Sequence, residues 1–182
     1  MESRIKLAEY FNELGFHTGA EVGTAAGAYA LILCQKIPGL RLFCIDPWEK
    51  YKENQRGGSE NHQHDNYETT KRVLASYNVK LVREMSMDAV KKFGDESLDF
   101  VFIDGNHNYP FVKEDIAEWS KKVRKGGIVA THDFYHFHRS GVIEAVTEYC
   151  SINRIDFKLT DWDWQKKLSR DNRVPCAYWF KT

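Results

Sequence analysis

The order of apolar runs predicts an α/β fold: a doubly wound, mostly parallel sheet with helices on both faces. Three observations carry this. Short apolar runs alternate with stretches of helical periodicity through most of the chain. One run, "SLDFVFIDG" over 97–105, is apolar on successive residues, as a central strand covered on both faces requires. The first strand-to-helix turn, "GAEVGTAAGAYA" over 19–30, places glycines and small residues where such sheets collect their ligands.

Each element follows in order. Ile5, Ala8, Phe11 and Leu14 recur near helical spacing with Gly15 as a stop, predicting a helix within residues 1–15. "TGAEV" is a short buried strand ending at Gly23, and residues 26–36 are helical until "PGL" at 38–40. "LRLFCID" is a second strand, terminated by Asp46 and Pro47. Residues 48–66, "WEKYKENQRGGSENHQHDN", are polar, glycine-bearing and almost free of aliphatics, which reads either as a lid over a site or as a surface insertion. "YETTKRVLASY" is a helix, "VKLVRE" a strand and "MDAVKKFG" a short helix before the central run. Pro110 then opens a helix, since proline suits a first helical turn, and Val112, Ile116, Trp119 and Val123 form its apolar stripe. "GGIVATHD" is the next strand, and Val142, Ile143, Val146, Tyr149 and Cys150 mark a further helix. "DFKLT" and "CAYWF" complete seven strands as antiparallel neighbours. A single domain over 1–182 is expected, with no internal repeat and no linker.

Composition narrows the function. The formal net charge of zero argues against a partner held mainly by phosphate neutralisation, so no nucleic acid is expected. The first sixteen residues carry scattered charges rather than a leader's apolar core, and no stretch has the eighteen or more apolar residues of a membrane span. A cytoplasmic address, and no membrane partner, is the expectation. Cys34, Cys44, Cys150 and Cys176 form no CxxC pair and sit in apolar surroundings, so they read as buried reduced thiols. A homodimer is compatible with all of this.

The glycine turn selects its ligand by charge. A dinucleotide site needs GxGxxG, but here Ala25 stands in place of the middle glycine between Gly23 and Gly27. Glu21 precedes the first glycine by two residues; a carboxylate there repels a pyrophosphate and favours a cation. "EVGTAAGAYA" resembles the first motif of class I S-adenosylmethionine-dependent methyltransferases, a family with a Rossmann-like sheet. The resemblance implies cofactor contacts for Glu21, Gly23, Thr24 and Gly27. Asp46, at the end of the second strand, can accept ribose hydroxyls. "REMSMDA" falls where the family lines the adenine, so Met85 and Ser86 are assigned there, although Met85 stands where an acid is common.

The second half carries the chemistry. "LDFVFIDGNHNYPFVKEDIAEWSKKVRKGGIVATHDF" resembles small-molecule methyltransferases of the cephalosporin-hydroxylase-like and macrocin O-methyltransferase-like group, and the whole resemblance spans about residues 16–135. Asp104 ends one central strand, while His132 and Asp133 end the next; parallel strands lie about 4.8 Å apart, so these side chains can converge. Two carboxylates and an imidazole suit a divalent ion: magnesium is tolerated, and the histidine admits manganese, iron or zinc. The resemblance places a magnesium-type site on Asp104, His132 and Asp133, and a base on His107. It equally admits an ion-free reading, in which Asp104 contacts the cofactor's methionine group. His136 and His138 are alternative bases, with His62 and His64 weaker ones, and each of these histidines has a plain surface or capping reading beside the catalytic one. Tyr109, Phe134, Tyr135 and Phe137 suggest an aromatic wall beside the site, or core aromatics. The expected function is S-adenosylmethionine-dependent methyl transfer to a small molecule, most simply to a hydroxyl. A nicotinamide-dependent oxidoreductase and a non-catalytic cofactor-binding module are the alternatives.

Overall fold

The apolar run at 97–105 works as two interleaved faces. Phe100 and Phe102 point into one core layer, and Val101 and Ile103 into the other. That is the period of two that a strand imposes, with both faces covered. The computed structural model describes residues 3–52, 58–136, 140–162 and 173–182. Its elements are α1 (Arg4–Glu13), β1 (Thr18–Val22), α2 (Ala28–Lys36), β2 (Arg41–Ile45), α3 (Glu60–Val73), β3 (Val79–Val82), α4 (Ser86–Ala89) with a 3₁₀ turn at Val90–Lys92, β4 (Leu98–Ile103), α5 (Tyr109–Lys122), β5 (Val123–Thr131), α6 (Val142–Asn153), β6 (Lys158–Leu159) and β7 (Ala177–Phe180).

The seven strands form one sheet in the order β3-β2-β1-β4-β5-β7-β6. β1 through β5 are parallel, whereas β7 runs antiparallel to both β5 and β6. The expected seven-stranded, doubly wound sheet with an antiparallel C-terminal strand is therefore present. After β1 the chain winds outward through β2 to β3, then crosses back to place β4 on the other side of β1. The connections that leave β1 and β4 accordingly run in opposite directions at a switch point, where sheets of this type bind ligands.

One core layer packs Leu7, Phe11, Leu33 and Leu74, from α1, α2 and the end of α3, on Phe100 and Phe102. Gly19 makes room for this: a side chain there would come within 2.2 Å of the Phe100 ring. Phe100 in turn stacks on Phe11 at 4.5 Å. The other layer packs Val112, Ile116 and Trp119 of α5 and Val146 of α6 on Val101 and Ile103. All four cysteines are buried and unpaired, as expected.

Two expectations shift. The apolar stripe of α1 is rotated: Leu7, Ala8 and Phe11 are buried with Arg4, while Leu14 is 37% exposed. The polar stretch 48–66 is not all loop. Ser59 caps α3, its Oγ accepting the His62 amide at 3.2 Å, so residues 60–66 are already helical. Only Gln63 and Thr70 of that helix are buried, which explains why its period carried no apolar signal. At the other end of the stretch, Trp48 is 1% exposed and belongs to the core. Among the described residues no helix is long and apolar enough to cross a membrane.

Asp99 pins the starts of the central strands β1, β4 and β5 together. Its Oδ2 accepts the His17 and Thr18 amides at 2.8 and 2.9 Å, and its Oδ1 accepts Arg124 Nε at 2.7 Å. Burial opposes its ionisation, yet these donors outweigh burial and hold the carboxyl below the usual carboxylate range. Asp99→Ala should therefore cost about 1–3 kcal/mol in denaturant unfolding. Because the folded-state value is depressed, this contribution is complete above the ordinary aspartate range and lost as pH falls through the folded value. The gap between wild type and Asp99→Ala should narrow in acid.

Candidate active site

The turn after β1 is set by the backbone of β4. Gly23 has φ +90°, and a side chain on it would stand 2.1 Å from the Asp104 carbonyl oxygen. Its glycine is thus required by the approach of the two strand ends, quite apart from any ligand. The Gly23 amide donates to the Ile45 carbonyl at 2.8 Å, tying the turn to β2.

Beyond Gly23 the turn is framed by side chains. Ala25 takes φ +48°, an uncommon conformation for a residue with a Cβ. Its amide donates to Asp46 Oδ2 at 2.9 Å, and its carbonyl accepts Trp48 Nε1 and Thr70 Oγ1, both at 2.7 Å. Asp46 Oδ1 accepts the Trp48 amide at 2.7 Å. Burial pushes the Asp46 carboxyl up while the two amides oppose it. Each carboxylate oxygen keeps a lone pair beyond these bonds.

Glu21 lies behind this frame. It is 2% exposed, and its Oε2 has no hydrogen-bond partner among the described residues. Burial pushes its carboxyl up to about 8. An acceptor left without a donor in a dry site favours an arriving ammonium group and disfavours phosphate.

In front of the turn opens a cleft of about 1280 Å³. Gly23, Asp46, Met85, Ser86, Asp104 and His107 line it; Glu21, Thr24 and Gly27 do not. Ser86 is engaged by the protein: Trp119 Nε1 donates to its Oγ at 2.8 Å, and its Oγ donates to Asp115 Oδ1. Asp115 is 5% exposed, and burial pushes it up to about 7. Sequence reasoning passed over Asp115, yet a signal existed: this acid sits on the apolar stripe of α5, between Val112 and Ile116. Tyr51, Gln63, Asn66 and Phe111 are further lining residues it missed.

A polar cluster closes the cleft floor. Asp104 Oδ1 lies 3.4 Å from both His107 Nε2 and His132 Nδ1. Asp133 reaches His107 Nε2 at 3.0 Å through Oδ2 and His132 Nδ1 at 3.1 Å through Oδ1. Beneath them Arg4 NH1 sits 3.6 Å from Asp104 Oδ2 and 3.5 Å from His132 Nε2, with its guanidinium over the Tyr29 ring at 4.8 Å. Burial works against the charge on Asp104, but the two imidazoles hold it well below the usual range.

Exposure distinguishes the two histidines. The side chain of His132 is 3% exposed, whereas His107 is 32% exposed. The donor atoms of Asp104, His107 and Asp133 come together within 4.8 Å of one another on the open side, and His132 Nδ1 meets the same two carboxylates from the buried side. Two carboxylates and an imidazole in this arrangement fit a divalent cation. Asp104 and Asp133 overcome burial and raise His107 to about 9, which favours its protonated form.

The expected aromatic wall is elsewhere. Tyr109 donates its hydroxyl to Glu148, Phe134 packs on Phe157 at 5.4 Å, and Tyr135 meets Trp162 at 5.1 Å. The cleft's aromatics are Tyr51 and Phe111 instead. Of the other candidate bases, His62 lines the cleft, whereas His64 and His136 are exposed away from it. Phe137 and His138 lie outside the described residues.

Gly23→Ala should disrupt the site from behind. The new methyl meets backbone rather than a movable side chain, so Tm should fall and ligand affinity should drop more than tenfold. Trp48→Phe keeps the ring but removes the donor to Ala25, and should cost about 1 kcal/mol of stability in the same assay.

The chain matches the family described as "Methyltransferase domain" over residues 20–134. It resembles the O-methyltransferase TomG of Streptomyces achromogenes, solved with S-adenosylmethionine, at 16% identity and a TM-score of 0.68, covering 98% of this chain and 79% of that one. An O-methyltransferase of Bacillus cereus, solved with S-adenosylhomocysteine, superposes with a TM-score of 0.68 at 14% identity, over 98% and 80% of the two chains. A curated relative, the uncharacterized protein y4gI of Sinorhizobium fredii, is 28% identical over 117 residues; the match takes in 62% of this chain and 12% of that protein's length. With a family match running from β1 through the end of β5 and the cleft at its switch point, this chain belongs to the methyltransferase-domain family.

Proposed function

We propose that the chain transfers a methyl group from S-adenosylmethionine to a hydroxyl of a small molecule. The observation that carries this reading is the buried, partnerless Glu21 Oε2 behind the Gly23 turn. A buried carboxyl behind the turn favours positive charge over phosphate at that end of the cleft. The O-methyltransferases TomG and Bacillus cereus enzyme, which share the fold, support a hydroxyl acceptor.

Glu21, behind the turn, would bias that end of the cleft toward the donor's cationic portion, Asp46 would take the ribose hydroxyls through its remaining lone pairs, and Met85 and Ser86 the base. Bound there, S-adenosylmethionine supplies an electrophilic methyl carbon on a sulfonium. The chain's part is to hold the acceptor oxygen about 3–3.5 Å from that carbon and to exclude water. Asp104 and Asp133 orient His107 Nε2 at the mouth of the cluster. As a base, His107 takes the acceptor's proton only after releasing its own. As a ligand, it gives that lone pair to a cation together with Asp104 and Asp133. A divalent ion in this set would supply Lewis acidity toward the acceptor's hydroxyl. The four buried, unpaired cysteines support a cytosolic workplace.

Calorimetric titration should show heat with S-adenosylhomocysteine and none with NAD; the reverse result would sink the reading. Asp104→Ala should abolish turnover. His107→Ala should lower kcat by about 10²–10⁴ while S-adenosylhomocysteine affinity stays within about threefold. A chelator separates the two roles of His107: turnover lost on chelation and restored by magnesium or manganese marks a ligand, and turnover that survives marks a base.

A further inference from the structure

The cleft is chemically graded. Where α4 and α5 meet, its walls are Met85, Met87 and Phe111, and its polar groups include Ser86 and Asp115. Beside them stand Glu84 and Glu114, and the two methionines and the phenyl ring suit the flat face of a heterocycle.

The hydrogen bonds behind that wall have a forced direction. An indole N–H can only donate, so Trp119 Nε1 makes Ser86 Oγ the acceptor at 2.8 Å. The Ser86 hydroxyl proton is then directed to Asp115 Oδ1. Oδ1 is thereby fixed as an acceptor. Oδ2 receives no hydrogen bond from a described residue, although Asp115 is only 5% exposed. It lies beside Gly105, 3.6 Å from where a Cβ on that residue would stand, and both residues line the cleft. The result is a buried carboxylate with one oxygen locked and the other presented to whatever fills this end.

We infer that Asp115 reads the purine of the methyl donor, Oδ2 accepting a hydrogen bond from the exocyclic amino group while Trp119 and Ser86 hold the carboxylate plane. This rests on the S-adenosylmethionine reading above. A fixed acceptor pairs with a 6-amino purine. A 6-oxo purine would set oxygen against oxygen in a dry site, leaving both unpaired.

The relay also dictates what an amide would do. In Asp115→Asn the orientation that keeps the Ser86 hydroxyl donating, as it does to Asp115, leaves the oxygen at the Oδ1 position and puts the NH₂ group in the place of Oδ2. The cleft then presents a donor, which suits a 6-oxo purine.

The test titrates the full chain with S-adenosylhomocysteine and S-inosylhomocysteine and compares the two affinities within each variant. It is run at about pH 8.5, above the value of about 7 to which burial pushes Asp115, so that Oδ2 is bare. Wild type should prefer the adenosyl ligand by about 10–150-fold, and Asp115→Asn should bring the ratio to unity or invert it. A loss of folded protein scales both affinities alike and leaves the ratio intact. A wild-type ratio near one, or an unchanged ratio in Asp115→Asn, overturns the assignment. Should Asp115→Asn fail to fold, the wild-type ratio still decides. Failure of wild type to bind S-adenosylhomocysteine at all is a separate outcome that removes the donor reading itself, and this inference with it.

Discussion

The architecture of the site depends on how closely the end of β1 approaches the end of β4. Gly23 has no side chain, and the Asp104 carbonyl occupies the space one would need. The Asp104 amide closes the contact by donating to the Val22 carbonyl at 2.7 Å. Because these backbones touch, the turn after β1 bends away toward β2, where Asp46 and Trp48 can reach Ala25. The same contact sets Asp104 at the cleft floor rather than behind it. A cleft at a switch point is a topological consequence, but its width and the placement of its acids follow from this one approach.

Around that contact the protein gathers more charge than an interior usually holds. Glu21, Asp104, His132 and Arg4 are all largely withdrawn from water, and burying a charge is costly unless it is compensated. Two devices compensate here. Arg4 reaches in from α1, braced by the Tyr29 ring, while the Tyr29 hydroxyl bonds back to the Arg4 carbonyl at 3.0 Å. Glu21 instead is pushed toward its neutral form until something cationic arrives. The N-terminal helix is thus a structural part of the site although it stands first in the chain and contributes no cleft-lining residue.

The cleft's two remaining walls differ in kind. α3 presents His62 and Asn66, polar and partly open, with Gln63 buried between them. α5 presents Phe111, the exposed Glu114 and a buried acid, Asp115, held by an alcohol that an indole in turn holds. One wall can exchange partners with water; the other holds its groups in one hydrogen-bonding sense. Selectivity for a ligand's chemistry belongs to walls of the second kind, because an unmatched group there has no solvent to turn to.

Local chemistry determined much of this molecule. The strands were legible because parallel, doubly covered strands must be apolar at successive positions, as in Leu98–Ile103. Gly23, Asp46 and Asp104 were legible because strand ends at a switch point are where such folds expose polar groups. What tertiary structure alone decided lies at long range. Trp48, in a stretch that reads as polar loop, became core because its indole found the Ala25 carbonyl. Arg4 entered the acid cluster across the whole depth of a helical layer. His132 is buried and His107 half-exposed because one ring packs against Arg4 while the other stays at the mouth. Residue type and spacing set which groups are available near a strand end; which of them faces the cleft, and with what proton, is settled only when separate layers pack and burial selects the partners.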